Sequence, residues 1–104
     1  MSHLVLPRYV EPPNDQRTGM PDGTWHARIC HPQWKGDHYA LPDGTRLDIT
    51  IRCPQCHVQM MLATRNHTIA ADRTVSPSLV CANEKCTWHI FVRLADWPPA
   101  KETL

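Results

Sequence analysis

The fold is decided by two short cysteine pairs, Cys53-Pro54-Gln55-Cys56 and Cys81-Ala82-Asn83-Glu84-Lys85-Cys86, which are separated by residues 57–80. A zinc ion accepts four thiolates in a tetrahedral arrangement, so two loops that each present two sulfurs can close its coordination shell. Both pairs lie where a predicted strand ends or begins. The pattern therefore predicts a zinc ribbon in which one structural zinc ion is held by Cys53, Cys56, Cys81 and Cys86.

The first cysteine pair has a competing interpretation as a thioredoxin-like redox site. Such a pair stands at the start of a helix in a βαβ unit, and the residues after Cys56 show no helical pattern. A catalytic zinc would normally keep an open coordination position and use histidine or carboxylate ligands. Four cysteines at this spacing favour a closed, structural ion.

Composition leaves this chain little material for a hydrophobic core. Its 104 residues include ten prolines, four glycines and one phenylalanine, and the mean hydropathy is -0.45. A small core gives a chain of this length little stability, and a bound metal would add to it. The sequence shows neither a membrane-spanning stretch nor a signal peptide, so we expect a cytoplasmic protein.

The charge balance argues against a broad electrostatic surface for nucleic acid. Eleven basic and ten acidic residues give a formal charge of +1. Four thiolates around one zinc ion would bring the folded protein to about -1. Any contact with nucleic acid must therefore be local, because a strongly basic domain is absent.

The distribution of apolar, polar and turn-forming residues along the chain predicts a small, mainly β fold. No capped amphipathic helix is expected. We expect an extended, flexible N-terminal arm over residues 1–20 and a β-hairpin-like segment over residues 21–51 that packs on the ribbon. The zinc ribbon itself spans residues 52–97 and consists of short antiparallel strands. Residues 98–104 form a tail.

Alternating apolar residues predict the strands of the ribbon. Residues 47–52 have the period of a half-buried strand that leads into Cys53, and residues 59–64 can return antiparallel to it. Residues 68–78 are polar and turn-like. A second clear strand pattern covers residues 88–94 and stops before the prolines that follow Trp97.

Two identical tetrapeptides, Pro-Asp-Gly-Thr at residues 21–24 and again at residues 42–45, predict β-turns. Proline sets φ for the turn, aspartate closes it locally, and glycine supplies the left-handed position. An extended segment is expected after each turn.

A second metal site is conceivable around Cys30, which has His26, His31 and His38 nearby in sequence. Their spacing matches no familiar ligand pattern. The simpler interpretation is a half-buried free thiol among surface histidines.

The C-terminal half resembles the phage late-transcription activators of the Ogr/Delta zinc-finger type. The resemblance is carried by Cys-Pro-x-Cys, by Thr64-Arg65-Asn66 in the gap, and by Cys81-x-Asn83-x-x-Cys86-Thr87, and it extends from about Arg52 to Val92. It implies one zinc ion on the four cysteines. It also implies an activator that touches promoter DNA and host RNA polymerase.

The leading functional hypothesis is a transcription-associated module from a phage or mobile element that contacts nucleic acid, RNA polymerase or both. Arginine side chains can contact phosphate or bases, and Trp88 or Phe91 can stack on an exposed base. Alternatively, Trp88 packs in the core and the arginines are a solvated face. The candidate binding residues are Arg65, Arg73, Lys85, Trp88 and Arg93.

The alternative hypothesis is a protein-interaction module, such as an accessory or inhibitory protein. Near-neutral charge and the aromatic residues Trp25, Trp34, Tyr39 and Trp97 favour it, since such rings anchor interfaces. An enzyme is not expected, because the sequence has no paired-carboxylate motif, phosphate-binding glycine loop or nucleophile signature. A small-molecule substrate and a membrane are not expected either.

Overall fold

The computed structural model describes residues 3–10, 19–30, 39–62 and 67–104, and this part of the chain is mainly β structure, as predicted. No helix within these ranges is long and apolar enough to cross a membrane. A 3-10 turn covers Lys101–Thr103. The strands are β1 (Leu4–Leu6), β2 (Trp25–Ile29), β3 (Tyr39–Ala40), β4 (Arg46–Arg52), β5 (Gln59–Met61), β6 (Thr68–Ile69), β7 (Val75–Ser76), β8 (Leu79–Val80), β9 (His89–Ile90) and β10 (Val92–Leu94).

Strand β4 is the centre of the largest sheet, and it leads directly into Cys53. It pairs antiparallel with β2 along one edge, and with β3 and β5 along the other. Its alternate residues Leu47, Ile49 and Ile51 are almost completely buried. This confirms the predicted strand and its predicted antiparallel return, which covers Gln59–Met61.

Both Pro-Asp-Gly-Thr segments form turns in which glycine has a positive φ, 71° at Gly23 and 91° at Gly44. In the second turn, the backbone N–H of Thr45 donates to Oδ1 of Asp43 at 2.9 Å, which closes the turn locally. Each turn is followed by a strand, as the sequence predicts. The glycines provide the left-handed conformation at little steric cost.

The N-terminal segment contains a strand that the sequence pattern does not predict. Strand β1 pairs in parallel with β10, and Leu6 is only 1% exposed. Beyond β1, the backbone N–H of Trp25 donates to the carbonyl of Pro7, and the carbonyl of Trp25 accepts from the N–H of Tyr9. Three residues are too few for a periodic signal, and this pairing depends on a strand far away in sequence. Residues 11–18 of the predicted arm lie outside the described residues.

The strands from β6 to β9 form two separate antiparallel pairs. Strand β8 pairs antiparallel with β9, and only Phe91 separates β9 from β10, so residues 88–94 follow the predicted strand closely. Strands β6 and β7 form a small antiparallel pair within residues 68–78, where we expected turns alone. Its two-residue strands are again too short to leave a pattern.

One hydrophobic core serves both halves of the chain. It contains Leu6 and Trp25 from the N-terminal half and Val92 and Leu94 from the C-terminal half. Trp97 packs edge-on against Trp25, with their ring centroids 5.9 Å apart. The same buried cluster includes two of the cysteines, so the core reaches the candidate metal centre.

Candidate metal centre

The four paired cysteines come together with their sulfur atoms all within 4.8 Å of one another. The Sγ atoms of Cys53 and Cys86 are 3.7 Å apart, and those of Cys56 and Cys81 are 3.3 Å apart. All four are free thiols rather than disulfides. In a tetrahedral site with Zn–S bonds of about 2.3 Å, neighbouring sulfurs are about 3.8 Å apart. The cluster therefore has the composition and nearly the dimensions needed to hold a metal ion.

The first cysteine loop is a tight turn at the end of β4. The backbone N–H of His57 donates to the carbonyl of Cys53 at 3.1 Å, and the N–H of Cys53 donates to the carbonyl of Val58 at 2.9 Å. The N–H of Gln55 lies 3.4 Å from Sγ of Cys53. Backbone amides that face the sulfurs favour the charged thiolates that a metal requires.

The second cysteine loop follows β8 and is closed by a similar arrangement. The N–H of Cys81 donates to the carbonyl of Trp88 at 3.0 Å, and the N–H of Cys86 donates to the carbonyl of Asn83 at 2.9 Å. The side chain of Asn83 also accepts from the N–H of Lys85 at 3.1 Å. The Asn83 side chain therefore shapes the loop, while its backbone N–H hydrogen-bonds with the Cys81 sulfur.

Burial divides the cysteines into two types. Cys53 and Cys81 are buried, whereas Cys56 and Cys86 are half-buried. The backbone N–H of Val58 lowers the pKa of Cys56 to about 6, and burial raises the pKa of Cys81 to about 12. Because metal binding requires thiolates, a bound cation must displace the proton of Cys81.

The histidines next to the cysteine loops contact other groups. Nδ1 of His57 lies 2.6 Å from Asp22, and Nε2 of His89 lies 2.6 Å from Oγ of Ser78. Within the described ranges, the cysteine cluster is the one group of three or more potential ligands that meets in space. The four sulfurs alone can therefore supply the four ligands of a metal ion, without histidine.

Cys30 is buried and separate from the four-cysteine cluster. Burial and a hydrogen bond with Asp48 raise its pKa to about 11. His26 is buried beside Tyr9, with ring centroids 6.1 Å apart, while His31 and His38 lie outside the described residues. Cys30 forms no disulfide, as the simpler interpretation expects, but it is buried instead of half-buried, and His26 is buried instead of lying at the surface.

The predicted binding residues that the structure describes differ in their surroundings. Trp88 is only 7% exposed and belongs to the core, which agrees with the alternative interpretation of this residue. Lys85 is exposed in the second cysteine loop. Strand pairing brings Arg73 and Arg93 side by side, and Arg65 lies outside the described residues.

The two neighbouring arginines already have partners within the chain. Nε of Arg73 donates to the carbonyl of Trp97 at 2.9 Å, and Nη2 of Arg93 lies 4.0 Å from Asp72. The side chain of Arg93 remains 41% exposed. Lys85 and Arg73 are exposed and Arg93 is half-buried, so all three retain side-chain surface for an external contact.

Sequence reasoning missed Asp22, which contacts both ends of the first cysteine loop. Its sequence context indicates only a turn, and Asp43 of the same tetrapeptide at residues 42–45 contacts Thr45 and Lys101 instead of a cysteine loop. Comparison of the chain with protein-family models, curated proteins and solved structures gives no match. Support for the metal centre therefore comes from its geometry alone, and the resemblance to Ogr/Delta activators stays a prediction.

Proposed function

We propose that this chain is a non-catalytic zinc-ribbon module whose single zinc ion is held by the four clustered cysteines. The convergence of four free sulfurs within 4.8 Å carries this proposal. Zinc suits the site because it has no directional preference and takes four thiolates in a closed tetrahedral shell. The ion would replace part of the core that a chain of this composition lacks.

A redox function of the first cysteine pair has less support from the structure. Each sulfur of the first pair also has a neighbour in the second loop, Cys53 at 3.7 Å from Cys86 and Cys56 at 3.3 Å from Cys81, so the first pair is not an isolated dithiol. The residues after Cys56 lead into strand β5. A thioredoxin-like pair would need a helix at that point.

We further propose that the module works in transcription in the cytoplasm, through contact with nucleic acid or with a machine such as RNA polymerase. Lys85 supports this role because it projects from the metal loop, and Arg93 supports it because its side chain is 41% exposed. Phe91 lies between β9 and β10 and is only partly buried, so its ring is a candidate for base stacking.

The nucleic-acid role predicts a local, salt-dependent contact. In titrations of zinc-loaded protein with fluorescent duplex and single-stranded oligonucleotides, binding should weaken with added salt. Lys85→Ala and Arg93→Ala should each reduce the slope of log K against log salt by about 1. Lys101→Ala is the matched control, because Lys101 pairs with Asp43 at 3.0 Å in the second turn.

A protein partner is the second candidate, and exposed apolar side chains favour it. Val5 and Val80 are 53% and 49% exposed, while Trp88 is buried and unavailable for stacking. If no oligonucleotide binds even at low salt, the nucleic-acid role is rejected. Salt-insensitive binding to purified RNA polymerase would then support the protein-interaction role.

A further inference from the structure

A single carboxylate outside the cysteine cluster connects the two ends of the first cysteine loop. Oδ1 of Asp22 lies 2.7 Å from Nε of Arg52, the residue before Cys53. Oδ2 lies 2.6 Å from Nδ1 of His57, the residue after Cys56. The Arg52 contact is an ion pair, and in the His57 contact Nδ1 is the donor, because an ionised carboxylate only accepts hydrogen bonds.

The backbone holds Asp22 in place for these contacts. The N–H of Gly23 donates to the carbonyl of Arg52 at 2.9 Å, and the N–H of Arg52 donates to the carbonyl of Thr24 at 3.2 Å. Nη1 of Arg52 also donates to the carbonyl of Met20 at 2.9 Å. Arg52 therefore anchors the turn, and the turn presents the carboxylate to His57.

His57 needs such a contact because its backbone is in a disfavoured conformation. Its φ is 71°, in the left-handed region that glycine adopts freely and that residues with a Cβ avoid. In this conformation its N–H closes the loop onto the carbonyl of Cys53 at 3.1 Å. If His57 relaxed, the loop would open and Cys56 would move away from the other sulfurs.

We propose that Asp22 is a positioning residue of the metal centre, which holds His57 in the left-handed conformation and so keeps the first cysteine loop closed on the metal. This inference rests on the proposed zinc function. The charge of Asp22 alone would disfavour a cluster of four thiolates and one zinc ion, whose net charge is about -2. Its contribution must therefore come through the positions of Arg52 and His57, which it holds.

The second Pro-Asp-Gly-Thr turn provides a matched control for the test. Asp43 occupies the same place in its turn, but it accepts from Thr45 and pairs with Lys101 instead of contacting a cysteine loop. We expect Asp22→Asn to weaken zinc affinity by about tenfold and to speed zinc release to a chromophoric chelator. Asp43→Asn should stay within about twofold of the unmodified chain. Equal values for the two variants would overturn the proposal.

A second substitution separates loop positioning from general stabilisation of the fold. Glycine adopts the left-handed conformation without a side-chain contact, so His57→Gly removes the need for Asp22. In the His57→Gly background, the effect of Asp22→Asn on zinc affinity should be at least about threefold smaller. An undiminished effect would show that Asp22 acts only by stabilising the turn, and would reject the positioning role.

The outcome for the unmodified chain keeps this inference distinct from the proposed function. If the unmodified protein binds no zinc, the zinc ribbon itself is rejected. If it binds one zinc ion tightly and Asp22→Asn behaves like Asp43→Asn, only the role of Asp22 is rejected.

Discussion

The cysteines of this chain have different surroundings, which determine whether each is expected to bind the zinc ion. Cys53 is completely buried at the end of the central strand, beside the sulfur of Cys86. Cys30 is also buried, but it lies apart from the cluster and contacts Asp48. The two residues therefore form a matched pair for testing the ligand assignment.

Cys53→Ser should abolish stoichiometric zinc binding and unfold the chain. Structural zinc sites contribute roughly 10–16 kcal/mol, which exceeds the whole stability of a typical small domain of about 5–15 kcal/mol. Cys30→Ser should keep one zinc ion per chain and a cooperative unfolding transition. Elemental analysis and urea unfolding measure both quantities. A Cys53→Ser protein with full zinc content and native stability would refute the assignment.

At this scale, sequence could predict the ligands but not their supporting residues. The spacing of two cysteines in one loop is fixed covalently, so it is visible in the chain itself. The contact between Asp22 and His57 depends on how two distant turns pack, and the tetrapeptide at residues 42–45 has no such contact. The burial of Trp88 also depends on packing, which is why its role remained open.

At the scale of elements, length explains which strands were predictable. Strand β4 has seven residues and a clear alternation, so its pattern is readable. Strands β1, β6 and β7 have two or three residues and gain their pairing from neighbours. No periodic signal exists over so few positions. The sequence pattern therefore predicts a flexible arm where the structure has strand β1, paired with β10.

Truncation of the buried side chain in β1 should reveal that role. Leu6 is 1% exposed, whereas its neighbour Val5 is 53% exposed on the same strand. We expect Leu6→Ala to lower the free energy of unfolding of the zinc-loaded protein by about 2–5 kcal/mol. Val5→Ala should change it by less than about 0.5 kcal/mol. Equal, small effects in urea unfolding would show that β1 is not part of the stable fold.

At the scale of the whole molecule, the metal centre and the hydrophobic core form one unit. Cys53 and Cys81 belong to the same buried cluster as Leu6, Trp25 and Leu94. The first cysteine loop follows β4 of the four-stranded sheet, and the second lies between β8 and β9, which form a separate pair. A bound ion would connect these two sheets. The sequence pattern predicts separate segments along the chain. It cannot predict that they share one core, because that core depends on contacts between residues far apart in sequence.

We propose that one zinc ion on four cysteines holds this fold together. The most direct test is elemental analysis of protein purified without added metal, with thiol titration before and after chelation. We expect one zinc ion per chain, at most one reactive thiol before chelation, and all five thiols reactive after chelation. Metal-free protein in which the same cysteines form a reversible disulfide would contradict the claim and favour a redox function.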